Sequence, residues 1–141
     1  MNHKLGGISR LFIDANIIIY FIEKNPLYYR KIEEIFFYCY SNTIEICACE
    51  ISIWECLLGN YKYHLGREEQ FENFFQNTHM ISLFSIEQEY FYEAAKLGAQ
   101  NVNLFDALHL ISAIENNGDI FLTNDKKIKS DLIPILQLSD I

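Results

Sequence analysis

The sequence predicts an α/β domain, a three-layer α/β/α sandwich in which helices cover both faces of a mainly parallel central sheet of four to five strands. Two observations carry that expectation. Short apolar runs of strand length alternate with segments of helical periodicity, instead of a block of strands followed by a block of helices. The strand runs are mostly apolar, as strands buried on both faces tend to be. The chain has 141 residues, half of them apolar and only two of them proline. That suits one folded domain, 1–141, whose core needs no disulfide or metal staple.

The elements follow in order. Residues 11 to 14 form a short apolar run suited to a buried strand. A helix starts at Asn16 and runs to Lys24, where Asn25 and Pro26 stop it. Pro26 can open the next helix, which continues through Tyr40 with Ile32, Ile35, Phe36 and Cys39 on one face. Thr43 to Cys49 reads as a second strand. Ile51 to Leu58 carries Ile51, Trp54, Leu57 and Leu58 at helical spacing and stops at Gly59, so Glu55 lies inside a short helix. Residues 67 to 78 make another helix, with Phe71, Phe74 and Phe75 on its apolar side. Met80 to Phe84 is a third strand. Ser85, with Gln88 three positions on, has the capping-box pattern for a helix ending near Gly98. Asn103 caps a helix from Leu104 to about Asn116, terminated by Asn117 and Gly118. Ile120 to Thr123 is a fourth strand, and Ile133 to Leu138 a fifth whose Pro134 suits a sheet edge.

Composition narrows the function classes. No apolar run reaches the ~18 residues of a membrane span, and Met1 to Arg10 lacks the apolar segment of a secretory signal. The expected location is therefore the cytoplasm. Cys39, Cys47, Cys49 and Cys56 lie in apolar segments and read as reduced core thiols. The last three offer thiolates that zinc favours, but they lack a CxxC knuckle and a partner His or Cys pair. The net charge of −8 repels nucleic-acid phosphate. Any action on nucleic acid must then rely on local basic groups, divalent cations or a partner.

Four acids stand in or beside apolar stretches: Asp14, Glu55, Asp106 and Asp125. Asp14 ends the first strand and Asp125 follows the fourth, so both fall at the carboxyl edge of the sheet, where such folds bind ligands. Glu55 lies one helical turn past the second strand, and Asp106 in the first turn of the helix before the fourth. Singly, each acid has a plain structural reading. Asp14 and Asp125 can cap helices, Asp106 can favour a helix dipole, and Glu55 can be a solvated face residue. Jointly they are expected to converge, and four carboxylates in a half-buried pocket need a counter-charge. An all-oxygen set with room for water suits Mg²⁺ or Mn²⁺.

Three segments then resemble a known family. Leu11 to Tyr20 supplies the opening strand, acid and Asn; Phe105 to Ala113 carries the run Asp-Ala-Leu-His-Leu; Ile120 to Asp125 closes as Phe-Leu-Thr-Asn-Asp. In that order and spacing the chain resembles the PIN-domain ribonucleases, and in particular the VapC-like toxins of prokaryotic type II toxin–antitoxin pairs. The resemblance runs from Leu11 to about Leu138. It implies that Asp14, Glu55 and Asp106 are the three core metal-binding acids and Asp125 the fourth. It also implies that Asn16, Ser52 and Thr123 support them. The implied reaction is metal-dependent hydrolysis of an RNA phosphodiester, leaving a 5′-phosphate and a 3′-hydroxyl. The implied partners are an RNA substrate, an antitoxin segment covering the acidic pocket and a second copy of the chain in a homodimer, with exposed aromatics of residues 28–40 and 61–75 as contacts.

Two further features have double readings. His109 lies three residues after Asp106 on one helical face and either packs in the core or contacts substrate. Lys126, Lys127 and Lys129 are either a solvated turn or a local phosphate-binding edge, with Lys126 and Lys127 the expected substrate contacts. The rival functions are a stand-alone PIN-like nuclease of RNA processing and a non-hydrolytic receiver-type signalling domain. The latter wants paired acids on the first strand, and a haloacid-dehalogenase-like phosphatase would want Asp where the chain has Asn16.

Overall fold

The computed structural model describes residues 2–141; Met1, the first residue of the expected domain, lies outside them. Strands β1 (Arg10–Ile13), β2 (Glu45–Cys49), β3 (Ser82–Phe84), β4 (Ile120–Thr123) and β5 (Ile135–Gln137) build one sheet in the order β3-β2-β1-β4-β5. Every neighbouring pair is parallel. The helices are α1 (Asn2–Leu5), α2 (Ala15–Ile22), α3 (Tyr29–Ser41), α4 (Ile51–Lys62), α5 (Glu68–Gln76), α6 (Gln88–Gly98) and α7 (Leu104–Glu115), and a 3-10 turn spans Leu138–Asp140. The α1 turn was not anticipated by the sequence pattern. It buries Leu5 in the core, and Lys4 Nζ donates to the Asp140 carbonyl.

Alternation along the strands divides the core between two layers. Leu11 and Ile13 of β1, with Ile46 and Ala48 of β2, pack against Ile17, Ile18, Ile35, Phe36, Phe71 and Phe74 from α2, α3 and α5. Phe12, Cys47 and Phe121 point the other way, onto Leu110 and Ala113 of α7. Cys49 meets Tyr90 and Ala94 of α6 and Ala107, Leu108 and Ile111 of α7. Each large apolar side chain buried in this way contributes roughly 1.5–3 kcal/mol. The four cysteines are buried and free, and burial pushes the Cys39 and Cys47 thiols up to about 12. Cys56 packs in the layer opposite Cys47 and Cys49.

Departures from the expected boundaries have local causes. Helix α3 begins at Tyr29 because Asn25 Oδ1 accepts from the Leu27 and Tyr28 amides at 2.9 and 3.2 Å, holding the segment after Pro26 in a turn. Helix α4 runs through Gly59 to Lys62. The reversal falls at Gly66, with φ +68°, and buried Asn60 Oδ1 accepts from the Arg67 amide at 2.8 Å. The capping box at Ser85 does not form; α6 starts at Gln88 without a side-chain cap, and Glu50 Oε1 instead accepts from the Ile86 amide. The end of α7 follows expectation. Asn117 has φ 58°, its amide reaches the Ile114 carbonyl, and the Gly118 amide reaches the Ala113 carbonyl at 2.7 Å, a Schellman closure.

In the sheet order, β2 and β4 flank β1 on opposite sides, so the chain reverses direction of growth between β1 and β4. A crevice opens there, beyond the carboxyl ends of the strands. The two strands stay joined up to that edge, where the Asp14 amide donates to the Leu122 carbonyl at 2.9 Å.

Candidate active site

Asp14 follows the last residue of β1 and is the N-cap of α2, its Oδ1 accepting from the Ala15 amide at 2.8 Å. It is only 5% exposed. Its second oxygen, Oδ2, accepts from Thr123 Oγ1 at 2.7 Å, and Asn16 Nδ2 stands 3.5 Å away. The helix-cap and site readings of Asp14 are therefore one placement. Thr123, the buried last residue of β4, also accepts from the Asp125 amide at 3.0 Å. One hydroxyl thus ties the first acid to the segment carrying the fourth. Asn16 Oδ1 completes the link by accepting from the Asn124 amide at 3.3 Å.

Asp106 is held by the cap of its own helix. Asn103 Oδ1 accepts from the Asp106 amide at 2.9 Å, and Asn103 Nδ2 donates to Asp106 Oδ2 at 2.8 Å. Asp125 Oδ1 accepts from the Lys127 amide at 2.9 Å, forming an Asx turn after β4. Glu55, on the second turn of α4, is 23% exposed at its side chain and lies 2.5 Å from His109 Nε2. The same nitrogen is 3.6 Å from Asp14 Oδ1.

Asp14, Glu55, Asp106 and Asp125 line one cavity of about 360 Å³ together with Asn16, Ile19, Trp54, Leu58 and Phe105. The four acids meet across this space rather than around a point. Among the described residues, no three His, Cys, Asp or Glu side chains form a ready metal cage. Burial pushes the Asp14 carboxyl above its ordinary value of 3.8, aided by the Glu55 charge and opposed by His109 and the Thr123 hydrogen bond. Burial also raises Asp106, reinforced by the charges of Asp14 and Asp125. Burial alone would lower His109, yet its hydrogen bond to Glu55 and the charges of Asp14, Glu55 and Asp106 carry it above 6.5. The acids around His109 thus favour its protonated form more than burial disfavours it.

His109 is 1% exposed, so of its two readings the structure favours the packed one, with the ring beneath the acids. What the sequence pattern missed is its grip on Glu55. The spacing of three from Asp106 was the available signal, but a residue 54 positions away from its partner leaves no local trace. Ser52, expected to brace the acids, is buried in α4 with Oγ unpartnered. It makes no hydrogen bond to any of them, because that part of the helix faces the core. The lysines divide. Lys127 and Lys129 line a small cavity of about 120 Å³ shared with Asn103 and Asp106. Lys126 lines a separate one of about 490 Å³ with Lys129, Gln137 and Asp140.

One buried and three half-buried carboxylates gathered at the switch point of an all-parallel sheet define the class: an α/β domain with clustered acids at its carboxyl edge. The chain belongs to the PIN-domain family, a family of nucleases, whose family model matches residues 11–130. Sequence comparison with curated proteins gives no significant match. Among solved structures, the fold is similar to VapBC2 from Rickettsia felis bound to a DNA fragment from its promoter, at 19% identity and a TM-score of 0.67, covering 92% of this chain and 98% of that one. It is also similar to a toxin–antitoxin complex from Klebsiella pneumoniae, at 19% identity, a TM-score of 0.65 and coverage of 92% and 98%. DNA-bound VapBC from Salmonella typhimurium aligns at 16% identity and a TM-score of 0.66, covering 93% and 99%.

The donor set fits a divalent cation in its chemistry. It offers hard carboxylate oxygens only, and burial together with neighbouring acids makes two of its members hold their protons more tightly. The span of the cavity leaves room for water, which Mg²⁺ retains when protein ligands are few.

Proposed function

We propose that this chain is a Mg²⁺- or Mn²⁺-dependent endoribonuclease and the toxin of a toxin–antitoxin pair. The observation that supports this most is the meeting of Asp14, Glu55, Asp106 and Asp125 on one cavity in a PIN-family chain. These four would hold the cation, which when bound polarises the phosphate and acidifies water. The protein's own residues do the rest. Thr123 and Asn16 fix Asp14, Asn103 fixes Asp106, and His109 fixes Glu55, so the carboxylates are oriented before substrate arrives. Lys127 and Lys129 supply positive charge beside Asp106, where a flanking phosphate of an RNA strand can rest.

The toxin reading draws support from the VapBC complexes that share the fold. The partner would be an antitoxin whose segment covers the acidic cavity, and a small gene directly upstream encoding a DNA-binding protein is the expected companion. The deciding experiment is cleavage of unstructured RNA by the purified chain with Mg²⁺ or Mn²⁺, and with chelator. Asp14→Asn and Asp106→Asn should each lower the rate at least about a hundredfold, roughly 3 kcal/mol of barrier, with the fold intact and products ending in 5′-phosphate. Unchanged activity in both variants overturns the site.

A further inference from the structure

The acidic cavity has a second wall that hydrolysis by the acids does not use. Trp54 directly precedes Glu55 in α4, and Phe105 directly precedes Asp106 in α7. A step of one residue turns a helix by about 100°, which sets each aromatic beside its acid on the rim. The two rings meet with centroids 5.1 Å apart and planes tilted by 58°. They form an open wedge rather than a closed stack. Trp54 remains 49% exposed, and Leu58 and Ile19 continue the apolar wall inside the same cavity. A neighbouring cavity of about 420 Å³, lined by Glu55, Asn103, Leu104, Phe105 and Asp106, extends the strip past Phe105.

We propose that Trp54 and Phe105 form a stacking platform for one unpaired nucleobase next to the phosphate held over the acids. The inference rests on the RNA-cleavage reading and names the form of RNA it takes. Charge argues for a base as the occupant. The chain carries a net −8, and four acids line the same cavity, so backbone phosphates find little attraction at the rings themselves. Base–aromatic stacking supplies affinity without charge and without regard to sequence. A base inside an A-form helix has both faces covered, so only single-stranded or looped RNA can offer one to the indole.

Trp54 is the only tryptophan of the chain, and its fluorescence reports occupancy of the platform directly. The wild-type protein with Mg²⁺ is titrated with adenosine 5′-monophosphate and, separately, with ribose 5-phosphate. The nucleotide should quench and the sugar phosphate should not. In parallel, Trp54→Ala and Trp54→Phe are assayed on single-stranded RNA. Trp54→Ala should raise KM about tenfold or more with little change in kcat, and Trp54→Phe should recover most of the loss. Thermal melts of both variants confirm that they fold. If the wild type cleaves RNA, equal quenching by both phosphates together with an unchanged KM in Trp54→Ala overturns the platform and leaves the nuclease reading standing. Retained RNA kinetics with loss of inhibition by a protein partner reassigns the wedge to that partner and also overturns it. A wild type that cuts no RNA and is not quenched by nucleotide removes both readings.

Discussion

His109 shows how one residue can serve both fold and chemistry. It is buried like a core side chain, yet its Nε2 is within hydrogen-bond distance of Glu55 and near Asp14. Its ring ties Glu55 of α4 to α7, and the surrounding acids raise its affinity for a proton. Replacing it by Leu preserves the apolar surroundings of Leu108 and Leu110 but frees Glu55. We expect His109→Leu to lower RNA cleavage about 10- to 100-fold. His109→Gln, which still offers an N–H, should lose less. Equal activity in all three proteins would show that the contact positions nothing. At this scale the acids were legible in the sequence, because a charge in an apolar run is costly enough to stand out. Their braces were legible only where they were local. Thr123 and Asn16 stand within two residues of an acid, whereas the pairing of His109 with Glu55 depends on how α4 and α7 come together. Ser52 fell to the same limit, since its distance along the chain from Glu55 said nothing of the direction of its hydroxyl.

At the level of elements, the N-terminus of α7 shares a residue with the site. Asn103 caps the helix and grips the Asp106 carboxylate at once. Asn103→Ala should cost about 1 kcal/mol of stability and lower cleavage as well. Asn103→Ser can restore the cap but not the donated N–H, so its melting temperature should recover while its activity stays low. Parallel recovery of both would reduce Asn103 to a cap alone. The other end of α7 makes a structural prediction. A Cβ on Gly118 would stand 2.7 Å from Phe12 Cδ1 and 2.9 Å from the Ala113 carbonyl. Gly118→Ala should therefore destabilise by roughly 1–3 kcal/mol, measured by denaturant unfolding, because the Phe12 ring is packed inside the sheet layer. The termini of α7 were readable because cap chemistry is local. The start of α6 and the end of α4 were not, because Glu50 and Asn60 act across loops that sequence periodicity does not connect.

For the whole molecule, the parallel sheet and its order bring the ends of β1 and β4 together, and with them a concentration of like charge. That has a consequence for stability in the metal-free protein. Asp14, Asp106 and His109 all bind their protons more tightly in the folded state, so the folded chain holds more protons than the unfolded one. The His109 contribution is complete below its ordinary 6.5 and is lost as pH rises through its higher folded value. The two carboxyls contribute fully below 3.8 and lose their share above it, as pH rises through their own raised values. The melting temperature of metal-free protein should fall from about pH 6 to about pH 9, and His109→Leu should flatten that slope; a rising slope in the wild type would contradict the shifts. The parallel α/β architecture was legible in the alternation of strands and helices, including the edge position of β5 before which Pro134 needs no ladder amide, whereas the strand order was not. The spread of the acids across a cavity, instead of around a point, was not, since it depends on side-chain directions that topology leaves open.

We propose that Asp14, Glu55, Asp106 and Asp125 act as one ligand set. Calorimetric titration of Mn²⁺ into the metal-free wild type, alongside Asp14→Asn and Asp106→Asn, tests it without any substrate. We expect saturable binding by the wild type and a loss of affinity of about tenfold or more in each variant. Identical isotherms for the three proteins would contradict it.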